Sequence, residues 1–240
     1  MPAIAVVAAQ LVAAPKPVLC LDTCDILEVV QCLHYEKLGA PRAIGCIESI
    51  RRLLNALATN PDRVQLVITE LVATEWNQNI ASIRTKAEQH LAHVDEAVVK
   101  LYQGAGYIGT HLAAFPALAA STLVADLVAL SQALLNQAVQ LELDNAFTQR
   151  ALNRVYTKTR PSHEGHIKDS IHLEHYLELV RQLRAQHFTD QCIFVSSNRR
   201  DFWDGENPRL HSLLLPEFTN VAVQLRFFGS IHAALGCLHI

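Results

Sequence analysis

No Cys-x-x-Cys pair occurs in this 240-residue chain, although cysteines stand at 20, 24, 32, 46, 192 and 237. They are scattered through apolar segments, which points to buried free thiols in a reducing cytoplasm rather than a disulfide framework. Cys20, Cys24, Cys32 and His34 can be drawn as a zinc set, but their spacing fits no structural zinc pattern. An excess of basic residues is also missing: 20 Lys and Arg stand against 23 Asp and Glu, a formal net charge of −3. Nucleic acid is therefore not attracted by the chain as a whole, and any such contact needs a local patch. Residues 2–15 are apolar, yet no basic residue precedes them and Lys16-Pro17 follows. A signal peptide needs a basic start and a membrane span needs ~20 apolar residues, so a short packed N-terminal segment (1–17) and no membrane partner are expected. Catalytic signatures are absent too. There is no Gly-x-Ser-x-Gly elbow, and His163-Glu-Gly-His166 has the wrong spacing for His-Glu-x-x-His. Gly104-Ala-Gly106 lacks the third glycine and the preceding strand of a phosphate loop. No internal repeat or low-complexity tract is present.

Hydrophobic residues make up 50% of the chain and charged ones 18%, enough apolar material for one well-buried core. Val18 to Asp22 is a short apolar run ending in an acid, as buried parallel strands do. Asp25 to Leu38 predicts a helix closed by Gly39, with Asp22 and Asp25 available as turn or cap residues. Ile47, Ile50, Leu54 and Leu57 recur at helical spacing between Ala43 and Leu57. Val64 to Ile68 predicts a second strand, with Thr69 as the N-cap of the helix after it. From Glu70 to about Thr159 the pattern is helical without a strand, interrupted near Gly104 and at Pro116. Part of it, about 104–160, is read as a helical insertion. Asp169 to Gln186 predicts another helix, Cys192 to Ser196 a third strand and Val221 to Phe227 a fourth. Strands separated by helices argue for an α/β fold: a parallel sheet with helices on both faces, in one domain spanning 18–240.

In open parallel sheets the ligand lies beyond the carboxyl ends of the strands. Asp22 ends the first strand, and Asp201 follows the third. Glu75 falls on the first turns of the helix after the second strand, and Asp169 opens the helix leading into the third. Topology thus sends all four acids to one edge. Crowded carboxylates cannot all stay ionised without a cation. Oxygen ligands suit Mg²⁺ or Mn²⁺, and two such ions ~3.5–4 Å apart can activate water and stabilise the leaving oxygen of a phosphodiester.

These segments resemble the motifs of PIN domains. Leu21-Asp22-Thr23-Cys24 is similar to their opening Asp-Thr-Asn. Ile68 to Trp76 resembles their second segment, where an acid lies downstream of a Ser or Thr in a register that selects Glu75 over Glu70. Lys168-Asp169-Ser170-Ile171 resembles the third, and Phe194 to Phe202 the fourth. The Glu-Trp pair and the Ser-Ser-Asn ending look closest to a bacterial PIN-like branch. The resemblance implies a PIN-like parallel sheet, a divalent metal and hydrolysis of single-stranded RNA by an endoribonuclease. Cys24 stands where Asn is common, and Asn198 where many members carry an acid, which leaves Asp201 as the fourth carboxylate. Asp22 and Asp169 are expected to ligate the principal ion, and Glu75 and Asp201 to complete the site or orient water. Thr23, Ser196 and Asn198 are expected to donate hydrogen bonds around them.

Positive charge concentrates near the third motif. Arg150, Arg154 and Lys158 share a helical face at i, i+4 spacing, and Arg160 and Lys168 extend the cluster, with Arg199 and Arg200 beside the fourth acid. Such cations hold phosphates largely without sequence preference. His163, His166, His172 and His175 crowd around Asp169 as loop or substrate-contacting residues. They keep open a His/Asp metal phosphohydrolase, which however expects an adjacent His-Asp pair. A non-catalytic RNA-binding or protein-interaction module is a further alternative. The apolar lobe 107–147 is a candidate contact for a second copy or for a neutralising partner, as in a toxin–antitoxin pair.

Overall fold

The structure is a computed structural model and describes residues 1–32, 40–162 and 164–240. The expected helix end at Leu38 and Gly39, His34 and His163 lie outside the described residues. The chain opens with α1 (Ile4–Ala13), β1 (Val18–Leu21), α2 (Thr23–Gln31) and α3 (Ala40–Thr59). It continues through β2 (Gln65–Thr69), α4 (Glu70–Tyr107), α5 (Leu123–Gln137), β3 (Val139–Leu141) and α6 (Asn145–Thr157). Then come α7 (Ile167–Ala185), β4 (Cys192–Val195), α8 (Arg199–Phe202), β5 (Trp203–Asp204) and β6 (Asn207–Leu210). The described chain ends with α9 (Leu215–Thr219), β7 (Leu225–Phe228) and α10 (Ile231–Leu238).

Five strands form one sheet in the order β3-β2-β1-β4-β7, every pair parallel. Side chains alternate across it, because successive strand residues face opposite ways. Leu19, Leu21, Leu66, Ile68, Ile193 and Val195 share one apolar core with Ile26, Ile50, Leu53, Val72, Leu134 and Ala234 from α2, α3, α4, α5 and α10. Val18, Cys20, Val67, Cys192, Phe194 and Leu225 share the other with Val7 and Leu11 of α1 and Leu173, Tyr176 and Leu177 of α7. Central strands covered on both faces carry unbroken apolar runs for this reason. The apolar N-terminal segment is thus a helix seated on the sheet's second face beside α7.

Two elements differ from the expectation. Within 104–160, read as helical throughout, Val139–Leu141 forms β3 and pairs with β2 through Val67↔Val139 and Thr69↔Leu141. Three residues at a sheet edge between two Leu- and Ala-rich helices carry too short a pattern to register as a strand. At the other edge, β7 starts at Leu225, because Val221–Gln224 turn first. Asn220 Oδ1 accepts from Ala222 N at 2.9 Å, and Gln224 takes a positive φ of 48°. The Gly104–Gly106 interruption is absorbed into the last turns of α4. Among the described residues, no helix is long and apolar enough to cross a membrane.

The strand order reverses at β1, which has β2 on one side and β4 on the other. The crevice beyond the carboxyl ends of β1 and β4 is where such sheets place ligands.

A candidate acidic site at the strand ends

Asp22 leaves β1 and caps α2, accepting from Thr23 N at 2.6 Å through Oδ1. Its Oδ2 accepts from Ser196 Oγ at 2.7 Å and from Cys24 Sγ at 3.2 Å. Ser196 lies just past β4, so the two strands flanking the reversal are tied by this carboxylate. Cys24 thus supplies a weak donor from the position where the motif favours Asn. Tyr176 reinforces the edge from below: its hydroxyl donates to Leu21 O at 2.6 Å and accepts from Thr69 N at 3.2 Å.

Asp169 stands in the first turn of α7 and is partly buried, while Asp201, in α8, is fully buried. Asn198 caps α8 and joins the pair: its Nδ2 lies 3.0 Å from Asp169 Oδ1 and 3.0 Å from Asp201 Oδ2. The amide at a position that many members fill with an acid therefore bridges two acids instead of adding a further charge. Phe202, packed on Phe194 at 5.1 Å between centroids, anchors α8 to the sheet. Burial, then the charges of Asp22 and Asp201, raise the Asp169 carboxyl from 3.8 to about 7, against the opposing pull of His172 and Asn198. A carboxyl so placed lacks positive charge.

Glu75 has a different setting. Burial would raise its pKa, but hydrogen bonding and charge from His172, with bonds from Thr23 and Lys168, hold it at about 2. His172 Nε2 lies 3.2 Å from Oε2, Lys168 Nζ lies 3.0 Å from Oε1, and Thr23 Oγ1 donates to Oε2. Thr69, the expected cap of α4, makes no side-chain cap bond; its hydroxyl meets His172 Nδ1 at 2.7 Å instead. Glu75 is accordingly supplied with two cationic partners of its own, whereas Asp22, Asp169 and Asp201 share one acidic neighbourhood.

His172 is the residue the sequence placed wrongly. It is buried, not in a loop, and helical spacing with Tyr176 sets both on the sheet-facing side of α7. His175 is also buried, between Ile171 O (2.7 Å from Nδ1) and Asp144 N (2.9 Å from Nε2). Neither is free to contact substrate. Asp25, a cap or turn residue by its sequence position, is buried three residues after Asp22 and is raised well above its ordinary pKa by burial, then by Asp22 and Glu28.

The basic residues separate into fasteners and exposed groups. Arg154, expected on a phosphate-binding face, is 12% exposed and pairs with Glu174 at 2.6 Å and with Glu217. It also donates to Arg160 O at 2.8 Å, joining α6, α7 and α9. Arg160 donates to Arg200 O at 2.7 Å and Asp201 O at 3.1 Å, holding α8 in place. Arg150 pairs with Glu178 at 3.1 Å. Arg200 reaches Asp201 at 3.1 Å and Glu164 at 3.4 Å. Arg199 lies over the Trp203 ring at 5.1 Å, and Lys158 is exposed at the end of α6.

All six cysteines are free thiols, with Cys20, Cys32 and Cys192 buried. Among the described residues, no group of three or more His, Cys, Asp or Glu side chains is arranged to hold a metal ion. The acids are coupled through charge without forming a closed ligand cage. In kind, however, the donor set of Asp22, Asp169 and Asp201 fits a hard divalent cation: all are oxygen donors, and Asp169 retains a proton where a cation would displace it.

No curated protein and no solved structure matches the chain. A family model described as PIN domain matches residues 19–202, from β1 through α8, and so takes in every acid of this edge. On that match, together with the parallel sheet and its acidic strand ends, the chain belongs to the PIN-domain family.

Proposed function

We propose that this chain is a divalent-metal-dependent endoribonuclease that hydrolyses phosphodiester bonds of single-stranded RNA at the Asp22–Asp169–Asp201 edge. The observation that carries this reading is the meeting of Asp22, Asp169 and Asp201 at one sheet edge, with Ser196 on Asp22 at 2.7 Å and Asn198 Nδ2 3.0 Å from both Asp169 and Asp201, and with the Asp169 carboxyl raised by burial and by its two acidic neighbours. Asp22, Asp169 and Asp201 would hold Mg²⁺ or Mn²⁺. When bound, the ion lowers the pKa of water and stabilises charge on the phosphodiester oxygens.

The protein groups supply position. Ser196 and Thr23 fix the rotamer of Asp22, and Asn198 fixes the separation of Asp169 from Asp201. Glu75 at about 2 is too weak a base to take a proton near neutrality. Its part is to hold Lys168 beside the acids, where a half-exposed ammonium can meet a phosphate. Lys158 and Arg200 offer further positive charge to the backbone, whereas Arg154 and Arg160 keep the edge assembled. An arrangement of cations around phosphate contacts gives little base preference by itself.

The test is cleavage of several single-stranded RNAs with Mn²⁺ or Mg²⁺ by the wild type and by Asp22→Asn. Metal-dependent cleavage that the substitution abolishes supports the reading. Equal cleavage by both proteins, or none by either across RNAs and metals, overturns it.

A further inference from the structure

A cavity of about 850 Å³ is walled by α2, the helix that Asp22 caps, and by Arg199 of α8, the helix that carries Asp201. Its wall includes Asp25 and Glu28 of α2, Glu48 and Ser49 of α3, and Arg199 and Trp203. Asp22, the cap of α2, Asp25 and Glu28 follow one another at three-residue spacing, ~4.5 Å along the axis. Helix α8 likewise divides its side chains, Asp201 toward the acidic site and Arg199 onto the cavity wall. The cavity and the acidic edge therefore share two walls, and one bound nucleotide can reach both.

The lining selects what can enter. Glu28, Glu48 and Glu206 face a single lining guanidinium, Arg199, so a phosphate is repelled. Hydrogen-bond donors are wanted instead: the buried Asp25 Oδ1 has no hydrogen-bond partner among the described residues. Arg199, over the Trp203 ring at 5.1 Å and paired with Glu206 at 3.3 Å, brings to the cavity wall a flat guanidinium of the kind on which splayed bases of single-stranded RNA rest. The volume is in the range of small-molecule sites, ~300–1,000 Å³.

Resting on the nuclease reading above, we propose that this cavity is the subsite for the nucleobase adjoining the scissile phosphate and that it prefers guanine. Guanine carries its ring N–H and its amino group side by side on one edge, matching the carboxylate of Glu28 or Glu48 on the cavity wall, which can accept through both oxygens. Adenine and cytosine set one amino donor beside a ring acceptor that a carboxylate repels. Uracil offers one N–H between two carbonyls.

The experiment uses nucleosides, which carry no phosphate, and the metal-free full chain, so that binding is read apart from cleavage. Gly45 is on the cavity wall, and a Cβ added there meets nothing within 4 Å. Gly45→Leu should occupy the cavity, and in the interior of α3 it favours folding. Titration followed by calorimetry should show guanosine binding at least tenfold tighter than uridine. Gly45→Leu should weaken guanosine at least tenfold with an unchanged or higher melting temperature. The shape-preserving double substitution Glu28→Gln/Glu48→Gln should weaken it by a similar factor. Absence of guanosine binding, equal binding to Gly45→Leu, or displacement of guanosine by the guanidinium compound agmatine would overturn the assignment, the last by marking a site for cationic side chains. If guanosine binds as expected while the wild type cleaves no RNA, the base subsite stands and the hydrolytic reading falls.

Discussion

His172 Nε2 lies 3.2 Å from Glu75 Oε2, and the ring is held from its other side by Thr69 Oγ1 at 2.7 Å. The contact joins α7 to the start of α4 across the end of β2, inside the acidic edge. Removing one member of a buried charged pair costs about 3 kcal/mol, because the partner stays buried without its counter-charge. His172→Ala should therefore destabilise the protein by ~3 kcal/mol in urea unfolding. A cost near that of a surface substitution, within ~0.5 kcal/mol, would show that Lys168 and Thr23 suffice for Glu75.

The same contact sets a pH dependence. Glu75 is lowered from 4.5 to about 2 in the folded protein. A depressed carboxyl contributes stability that is complete above its unfolded value and disappears as pH falls through the folded one. The contribution is therefore present above 4.5 and lost between 4.5 and about 2. Comparing wild type with Glu75→Gln removes the opposing titrations of other acids. The stability difference between the two should shrink as pH falls from 5 to 3, and a constant difference contradicts the role given to Glu75.

Asp169 has the opposite sign. Its folded carboxyl titrates at about 7 against an ordinary 3.8, so the folded state holds a proton that the unfolded chain has released. Stability falls as pH rises through that window, and the penalty is complete above 7. Asp169→Asn should stabilise the metal-free protein by ~1 kcal/mol at pH 8 and leave it unchanged at pH 3, below both values. Mn²⁺ at a hundredfold excess over its Kd should then stabilise the wild type by ~2.7 kcal/mol and the variant far less. Thermal unfolding with and without chelator reads both effects. Equal stabilisation of the two proteins by Mn²⁺ would remove Asp169 from the site.

The acids were legible in the sequence because each sits where an apolar run stops or a helix starts, and those signals are local. Asp22 is buried like Val18 to Leu21 but needs hydrogen-bond donors, which the start of α2 supplies, so the acid marks the strand's end. Partners distant in sequence were not legible. Nothing near Arg154 announces Glu174 and Glu217, which reach it only once α6, α7 and α9 pack. His172 reads as one of several histidines until the fold turns that side of α7 toward Glu75. Asp25 looks like a helix-start residue because its first turn is acidic, and only the fold shows it buried on the wall of a cavity. β3 has three residues, too few for alternation to stand out between two helices.

Arg154 and Lys158 share a helical face in sequence, yet they occupy different environments, and substitution should separate them. Arg154 is 12% exposed with two carboxylate partners, and its replacement strands both Glu174 and Glu217. Arg154→Ala should cost about 3 kcal/mol of stability while the salt dependence of single-stranded RNA binding by the folded fraction stays the same. Lys158 is exposed at the C-terminal end of α6, so Lys158→Ala should leave stability within ~0.5 kcal/mol. If it meets a phosphate, the slope of log K against log salt should flatten by ~0.7, the release expected for one contact on a single strand. Filter binding at several salt concentrations, paired with urea unfolding, measures both quantities. A flattened slope in Arg154→Ala would mean that this guanidinium leaves its two glutamates to hold RNA, and a steep, unaltered slope in Lys158→Ala would place the strand's path elsewhere along the acidic edge.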